Sequence, residues 1–457
     1  MFRSATEKDL EIYAKKHSWN HMTQMKEYLE HPVIIEKGEG SWLYDIHGNK
    51  YLDGNASMWT NVHGHNNADL NEALIKQLSK LADTTYVCRS NEPALRLSHK
   101  LASIAPEGLS RVFFTNNGST AIEAALKLSF QYWQLMGKPE KFKVISMDQG
   151  HHGLSLGAVA VSNNKQMHLR FKPWTFPCEH FTPPDCSEYG GQIFSADDTE
   201  SIRSLEGLLN KNANEVACVV LESSIQSVAE TGMKLQPAGF LKKVEQLCKV
   251  HDVHLILDEI FTGSGRMGSF FACEKDDVSP DFLCLGKGIS AGYMPLGVTL
   301  TKEEIYEAFL GDWIEGKTFV HGHTYGGNAL ATAVALKSIE LLESRIHSGD
   351  LANSIKQFEC ITTRCFKNHP YVKEIRQRGF VCAIDLYPGV GKEAFSPKER
   401  VGYATCQYAL KKGLLIRAYK DSIFLIPPLS ISKAEIQFLC ERTSEAVTEH
   451  VLKHLKK

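Results

Sequence analysis

Several things this 457-residue chain lacks narrow its reading before any motif is considered. It has no charge excess. Its 51 Lys and Arg stand against 53 Asp and Glu, a net charge of −2, so no electrostatic argument exists for a nucleic-acid or anionic-membrane partner. No uncharged apolar run approaches the length of a membrane span. The opening stretch MFRSATEKDLEIYAKKHSW has neither the apolar core nor the small-residue cleavage site of a secretion signal. The 12 cysteines are scattered singly, with no C-x-x-C pair and no regular spacing, which argues against a zinc site or a disulfide framework. No internal repeat or low-complexity tract is present, and no G-x-G-x-x-G follows an early strand, which argues against a nucleotide-binding dehydrogenase. The expectation is a soluble, cytoplasmic protein without a bound metal.

What is there suits a globular enzyme. Hydrophobic residues make up 43% and charged residues 23%, ordinary values, and the length implies two or three structural units. GSWLYDIHGNKYLDG reads as two short strands joined by a turn at His47-Gly48-Asn49. From about residue 65 to 340, short apolar runs (RVFFT, KVISM, ACVVLE, VHLILD, FLCLG) alternate with longer amphipathic stretches. That alternation predicts an α/β fold with a mainly parallel sheet covered on both faces. After about residue 345 the pattern becomes a smaller α+β domain. It ends in a helix announced by the capping box Ser432 with Glu435. The expected organisation is an N-terminal segment, 1–64, joining that small domain (341–457), with a large ligand-binding domain at 65–340.

Open α/β sheets bind ligands beyond the carboxyl ends of their strands. TNNGS, DQGHHG, ESSIQ, DEIFTGSGRMG and GKG lie there. Gly118 and Ser119 open a helix whose amides and dipole could receive a phosphate, although a plain helix cap would read the same way. Asp258 ends the strand VHLIL, where burial of an unpaired carboxylate would be costly, so it needs a cationic or hydrogen-bonding partner. A protonated pyridine nitrogen is one such partner. Lys287 sits between Gly286 and Gly288, directly after Phe282–Leu285. It is either a surface turn lysine or an amine held in a pocket for chemistry.

The runs LILDEIFTGSGRMGSFFACE and SPDFLCLGKGISAGYMPLG closely resemble the signature of the class III pyridoxal-phosphate aminotransferases, and the 29-residue separation of Asp258 from Lys287 fits it. The resemblance extends over nearly the whole chain. HSWNHMTQM, DGNASMWTNVHGH, NNGSTAIEAALKLSFQYW and VHGHTYGGNALA are most similar to the branch that makes 7,8-diaminononanoate from 8-amino-7-oxononanoate in biotin biosynthesis. The resemblance implies a fold-type I architecture, with a large mainly parallel α/β/α domain and a small α+β domain. It also implies pyridoxal 5′-phosphate as cofactor and a homodimer with shared active sites.

Residue by residue, it makes Lys287 the Schiff-base lysine and proton shuttle, and Asp258 the partner of the ring nitrogen. Gly118 and Ser119 would hold the phosphate, with Thr324 reaching it from the neighbouring subunit. Arg417 would receive the substrate carboxylate. Trp59 would line the substrate pocket, though it reads equally as an ordinary core aromatic. This chain departs from the family at His151, where a ring-stacking Tyr or Phe is usual, and at Ser223, where a proline usually follows the glutamate. Met22, Met58 and Phe424 replace hydroxyl-bearing or further aromatic residues around the substrate. These three changes favour lysine over S-adenosylmethionine as amino donor, or are simple drift among space-filling residues. An ω-aminotransferase acting on another amine would share Asp258 and Lys287 and is the alternative.

Overall fold

The computed structural model describes residues 5–184, 200–212, 214–229 and 232–455. At the N-terminal end, β1 (Ile35–Glu39), β2 (Trp42–Asp45) and β3 (Lys50–Asp53) form an antiparallel meander. The β2–β3 turn passes through Gly48 at φ +77°, a left-handed conformation that glycine adopts without a Cβ clash.

A seven-stranded sheet forms the centre of the molecule. Its strands are β4 (Leu109–Thr115), β5 (Lys143–Met147), β6 (Glu179–Phe181), β7 (Val216–Glu222), β10 (His254–Asp258), β11 (Phe282–Leu285) and β12 (Gly297–Lys302), in the order β4-β12-β11-β10-β7-β5-β6. A short hairpin, β8 (Ile225–Ala229) with β9 (Gly232–Leu235), leaves the end of β7. Every residue of β7, β10 and β11 is buried, which is why these strands read as unbroken apolar runs rather than alternating ones.

From β6 to β11 the neighbours are parallel, whereas β12 runs antiparallel to both β11 and β4. The reason lies in the connection: residues 286–296 contain only a single 3₁₀ turn, too little to carry the chain back for a parallel crossover. The helix Gly118–Leu135 lies on the sheet through Ala121, Ile122, Ala124, Ala125 and Leu128, small and aliphatic residues that permit close approach.

The C-terminal part forms a second antiparallel sheet, β13 (Val372–Arg378), β14 (Val381–Leu386), β17 (Ser422–Leu425) and β16 (Arg417–Tyr419) in that order. Its two-residue strand β15 (Leu414–Leu415) pairs in parallel with β3, joining the N-terminal meander to this part of the chain. The long helix Ala329–His347 runs through residue 340 without a break. The final helix, Lys433–Leu455, starts as its capping box requires: Glu435 N donates to Ser432 Oγ (3.3 Å) and Ser432 N to Glu435 Oε2 (2.8 Å). The other Glu435 oxygen accepts Trp42 Nε1 at 2.7 Å, so the cap also fastens β2. Ile436, Leu439, Val447 and Val451 bury the inner face, each stabilising by roughly 1.5–3 kcal/mol relative to exposure. Among the described residues no helix is long and apolar enough to cross a membrane.

Candidate active site

Register decides what meets at the strand ends. Asp258 lies opposite Glu222 on β7 and Cys284 on β11, so the carboxyl ends of three adjacent strands finish at one level. Lys287 follows two residues past β11, with φ +42°. Its Nζ sits 4.7 Å from the ring centroid of Trp59 and 5.4 Å from that of Phe261. Burial pushes the amine pKa down to about 8; the carboxylates of Asp258 and Glu222 oppose that, and the Arg266 guanidinium adds to it. This lysine is not a surface turn residue.

Asp258 is buried, and both of its oxygens accept hydrogen bonds. Oδ2 accepts His152 Nδ1 at 2.8 Å and Oδ1 accepts the amide of Ile260 at 3.0 Å. Burial works against a charge on His152, but the Asp258 carboxylate outweighs it and the imidazole pKa is raised. The second buried carboxylate, Glu222, takes Ser227 N (2.9 Å) and Ser227 Oγ (2.5 Å) on one oxygen and the amide of His151 (3.3 Å) on the other. Burial holds its pKa above the usual carboxylate range.

The opposite end of the site is built for an anion. Asn117 caps the helix Gly118–Leu135 by accepting Thr120 N at 3.1 Å, and the first intrahelical bond is Ala121 N to Asn117 O. The amides of Gly118 and Ser119 lie ahead of it, at the positive end of the helix dipole. Space there is tight enough to demand glycine. A Cβ on Gly118 would come within 2.6 Å of Ile260, and one on Gly286 within 3.2 Å of the Gly118 Cα. Between these groups lies a cavity of about 460 Å³, lined by Gly118, Ser119, His151, Asp258 and Lys287 among others, a volume suited to a small-molecule site. An amine, a buried carboxylate and a helix N-terminus around one such cavity fit the aldehyde, ring nitrogen and phosphate of pyridoxal 5′-phosphate.

The substrate-side residues are distributed differently. Trp59 is buried at the end of a strained turn: Ala56, Ser57 and Trp59 have φ of +46°, +60° and +63°. Asp53 holds this turn by accepting Ser57 N at 2.7 Å and His65 Nε2 at 2.8 Å. Trp59 Nε1 is buried without a hydrogen-bond partner among the described residues. Phe424 is buried in the same cluster as Trp59 and Phe261. Arg417, on β16, reaches Met58, with Nη1 2.7 Å from Sδ. Arg417, Met58 and Met22 are all exposed, and none of the three lines the 460 Å³ cavity. Thr324 is exposed and also lies outside it.

Sequence reasoning gave no role to His152 and passed over His168, whose Nε2 lies 3.2 Å from His151 Nδ1. The paired histidines of DQGHHG and the glutamate ending VVLE were the available signals, since polar side chains at the ends of apolar strands need buried partners.

Residues 23–447 match the family described as aminotransferase class-III. The chain is 42% identical over 442 residues to the adenosylmethionine-8-amino-7-oxononanoate aminotransferase of Geobacter sulfurreducens, covering 96% of this chain and 97% of that protein. It is 40% identical to the Aquifex aeolicus protein of the same name, covering 97% and 98%. The crystal structure of the Methanocaldococcus jannaschii protein so named superposes with a TM-score of 0.90 at 38% identity, over 96% of this chain and 98% of that one. A thermostable (S)-enantioselective ω-transaminase from Thermomicrobium roseum also reaches 0.90, at 28% identity and 98% and 100% coverage. The match spans both the large sheet and the small one, and the chain belongs to the class III aminotransferases, which are pyridoxal-phosphate-dependent transaminases.

Proposed function

We propose that this protein transfers an amino group to 8-amino-7-oxononanoate, giving 7,8-diaminononanoate for biotin biosynthesis. The observation that carries this reading is the likeness, over nearly the whole length of both partners, to several relatives named for that acceptor. Pyridoxal 5′-phosphate, when bound, supplies the electron sink that stabilises a carbanion next to the transferred nitrogen.

This chain's residues do the rest. Lys287 would be the attachment point, and its amine would shuttle the proton during transfer. A pKa near 8 leaves it able both to take a proton and to give one at neutral pH. Asp258, steadied by His152, would hold the cofactor's ring nitrogen in its protonated form. Gly118 and Ser119 would receive the phosphate through backbone amides and the Ser119 hydroxyl, and His151 would face the cofactor's ring from the cavity wall. Arg417 takes the acceptor's carboxylate through its planar fork, and Trp59, Met22, Met58 and Phe424 enclose the aliphatic chain.

Thr324, which does not line its own chain's cavity, would complete the phosphate site of a second copy, and the working unit we propose is a cytoplasmic homodimer. Residues 1–64 and 341–457 form one small domain against a large domain of 65–340, a division supported by the β3–β15 pairing.

The amino donor is S-adenosylmethionine or lysine. The relatives' names favour the first, and the unbranched, apolar side chains of Met22 and Met58 with Phe424 favour the second. An assay of purified holoenzyme with 8-amino-7-oxononanoate and each donor in turn tests both points. Diamine formation with S-adenosylmethionine and none with millimolar lysine removes the lysine reading. Amination of simple ketones with no turnover of the nonanoate would leave an ω-transaminase, the kind of enzyme found in the Thermomicrobium structure.

A further inference from the structure

Beside Lys287 lies a chain of hydrogen bonds that the transamination chemistry does not require. The amide of Asn164 donates to His168 Nδ1 at 3.2 Å, and an amide can only donate. His168 therefore keeps its own proton on Nε2, which lies 3.2 Å from His151 Nδ1 with the two ring planes within 8° of each other. His151 Nδ1 must then accept. A neutral imidazole carries one proton, so His151 carries its own on Nε2, the ring nitrogen that has no protein partner among the described residues. His151 lines the cavity. The start of the chain is itself anchored: Asn164 Nδ2 donates to the Tyr419 hydroxyl (3.1 Å) on β16, two residues beyond Arg417.

From this geometry we infer that His168 is a positioning residue that locks His151 as a neutral Nε2–H donor, and that His151 hydrogen-bonds an oxygen acceptor on the molecule filling the cavity. The groups facing His151 agree with a neutral ring. Lys287, His168 and His152 surround it, and the two carboxylates of the same cavity are engaged elsewhere than by its ring, Glu222 by the His151 backbone amide and Asp258 by His152 and the Ile260 amide. Burial holds His151 down to about 3 and His168 to about 4. Neither ring can take a second proton without breaking a bond of the chain. A phenyl or phenol ring in place of His151 would fill the same space without this fixed donor. The acceptor oxygen belongs either to the cofactor or to the keto acid; the second source rests on the proposed function and the first does not.

A double-mutant cycle tests the inference. His168→Leu removes the donor that fixes the tautomer, His168→Gln restores an N–H near the same place, and His151→Phe keeps a ring without the donor. Two quantities are read in each variant: the dissociation constant of pyridoxal 5′-phosphate, by absorbance titration of cofactor-free protein, and the KM for 8-amino-7-oxononanoate. His168→Leu is expected to weaken one of the two by roughly three- to tenfold, the worth of one neutral hydrogen bond, with recovery in His168→Gln and no further loss on top of His151→Phe. A change in cofactor affinity assigns the oxygen to the cofactor, and a change in KM assigns it to the substrate. Equal losses from His168→Leu in both backgrounds, or no loss in either quantity, overturn the inference. Should wild-type protein fail to turn over the nonanoate, the proposed function falls while the titration still decides on His151. Nitrogen-15 spectra of the imidazoles give an independent test, since a proton on Nδ1 of His151 at neutral pH would refute the relay.

Discussion

The floor and the rim of the site are made in different ways. Asp258 and Glu222 end neighbouring parallel strands in register, with Lys287 two residues past the third and His152 held against Asp258 from the loop after β5. Asp258, Glu222 and His152 are buried, Lys287 is half-buried, and each carboxylate is already hydrogen-bonded. The residues proposed for the rim, Arg417, Met58, Met22 and Thr324, are exposed and do not line the cavity. The floor is thus complete within one chain, held by the most buried part of the molecule. If the proposed roles hold, the rim is completed only when substrate and a second copy are in place. Chemistry is written into the sheet, and selectivity into what surrounds it.

The largest effect should come from the floor. Lys287→Ala is expected to abolish transamination, since no other lysine among the described residues lines this cavity, and the visible absorption of the lysine-bound cofactor should vanish; turnover near the wild-type rate would sink the assignment. Asp258→Asn should keep the fold and lose about a hundredfold or more in kcat, the order seen when one preorganised electrostatic partner is removed. A loss below tenfold would make Asp258 structural.

The rim should respond in another currency. Arg417→Ala is expected to raise the KM for 8-amino-7-oxononanoate by roughly 10- to 100-fold, as for the loss of a charge-assisted hydrogen bond, with little change in the half-reaction with donor. Equal damage to both half-reactions would move Arg417 from the rim to the floor. For Thr324 a site shared between two copies predicts complementation. Mixing Thr324→Arg chains with Lys287→Ala chains should leave one intact site per heterodimer and restore about a quarter of wild-type activity at random exchange. Silence after proven subunit exchange would count against a shared site.

The smallest effect concerns proton affinity. In cofactor-free protein the burial of Lys287 lowers its pKa from the ordinary lysine value to about 8, so the neutral, nucleophilic amine is gained as pH rises through that value. The rate of pyridoxal 5′-phosphate uptake should climb to about pH 8 and level off. A climb that continued towards pH 10 would mean an amine open to water. By the same linkage, the charged lysine weighs on the folded state below about pH 8. Cofactor-free protein should gain stability as pH rises from there towards the unfolded-state lysine pKa, where unfolded chains bind the extra proton.

Much of the floor could be read from the sequence. KVISM and VHLILD are β5 and β10 almost residue for residue, because strands buried on both faces carry a run of apolar residues at their centre. The helix DLANSIKQFECITTRCF spans Asp350–Phe366 as expected. Other parts were not legible. β12 reads GVTLTK, with two threonines and a lysine, and its antiparallel direction follows from a loop length rather than a pattern. The β3–β15 contact joins residues more than 350 positions apart through two short strands, which no local signal announces. His152 looked like its neighbour in GHHG. Only the backbone decides that one ring meets Asp258 while the other meets His168.

The turn at Ala56–Trp59 has a consequence for how this protein can change. Three non-glycine residues there hold left-handed conformations, each a strain on the order of 1–3 kcal/mol sustained by Asp53 and His65. Glycine at Ser57 would relieve part of that strain and raise the melting temperature, yet it would loosen the indole resting on the Lys287 amine. Selection for heat resistance and selection for turnover therefore pull this one turn in opposite directions. A lineage pushed towards thermal robustness should find its easiest gains elsewhere, on surface helices and loops, and leave these residues untouched.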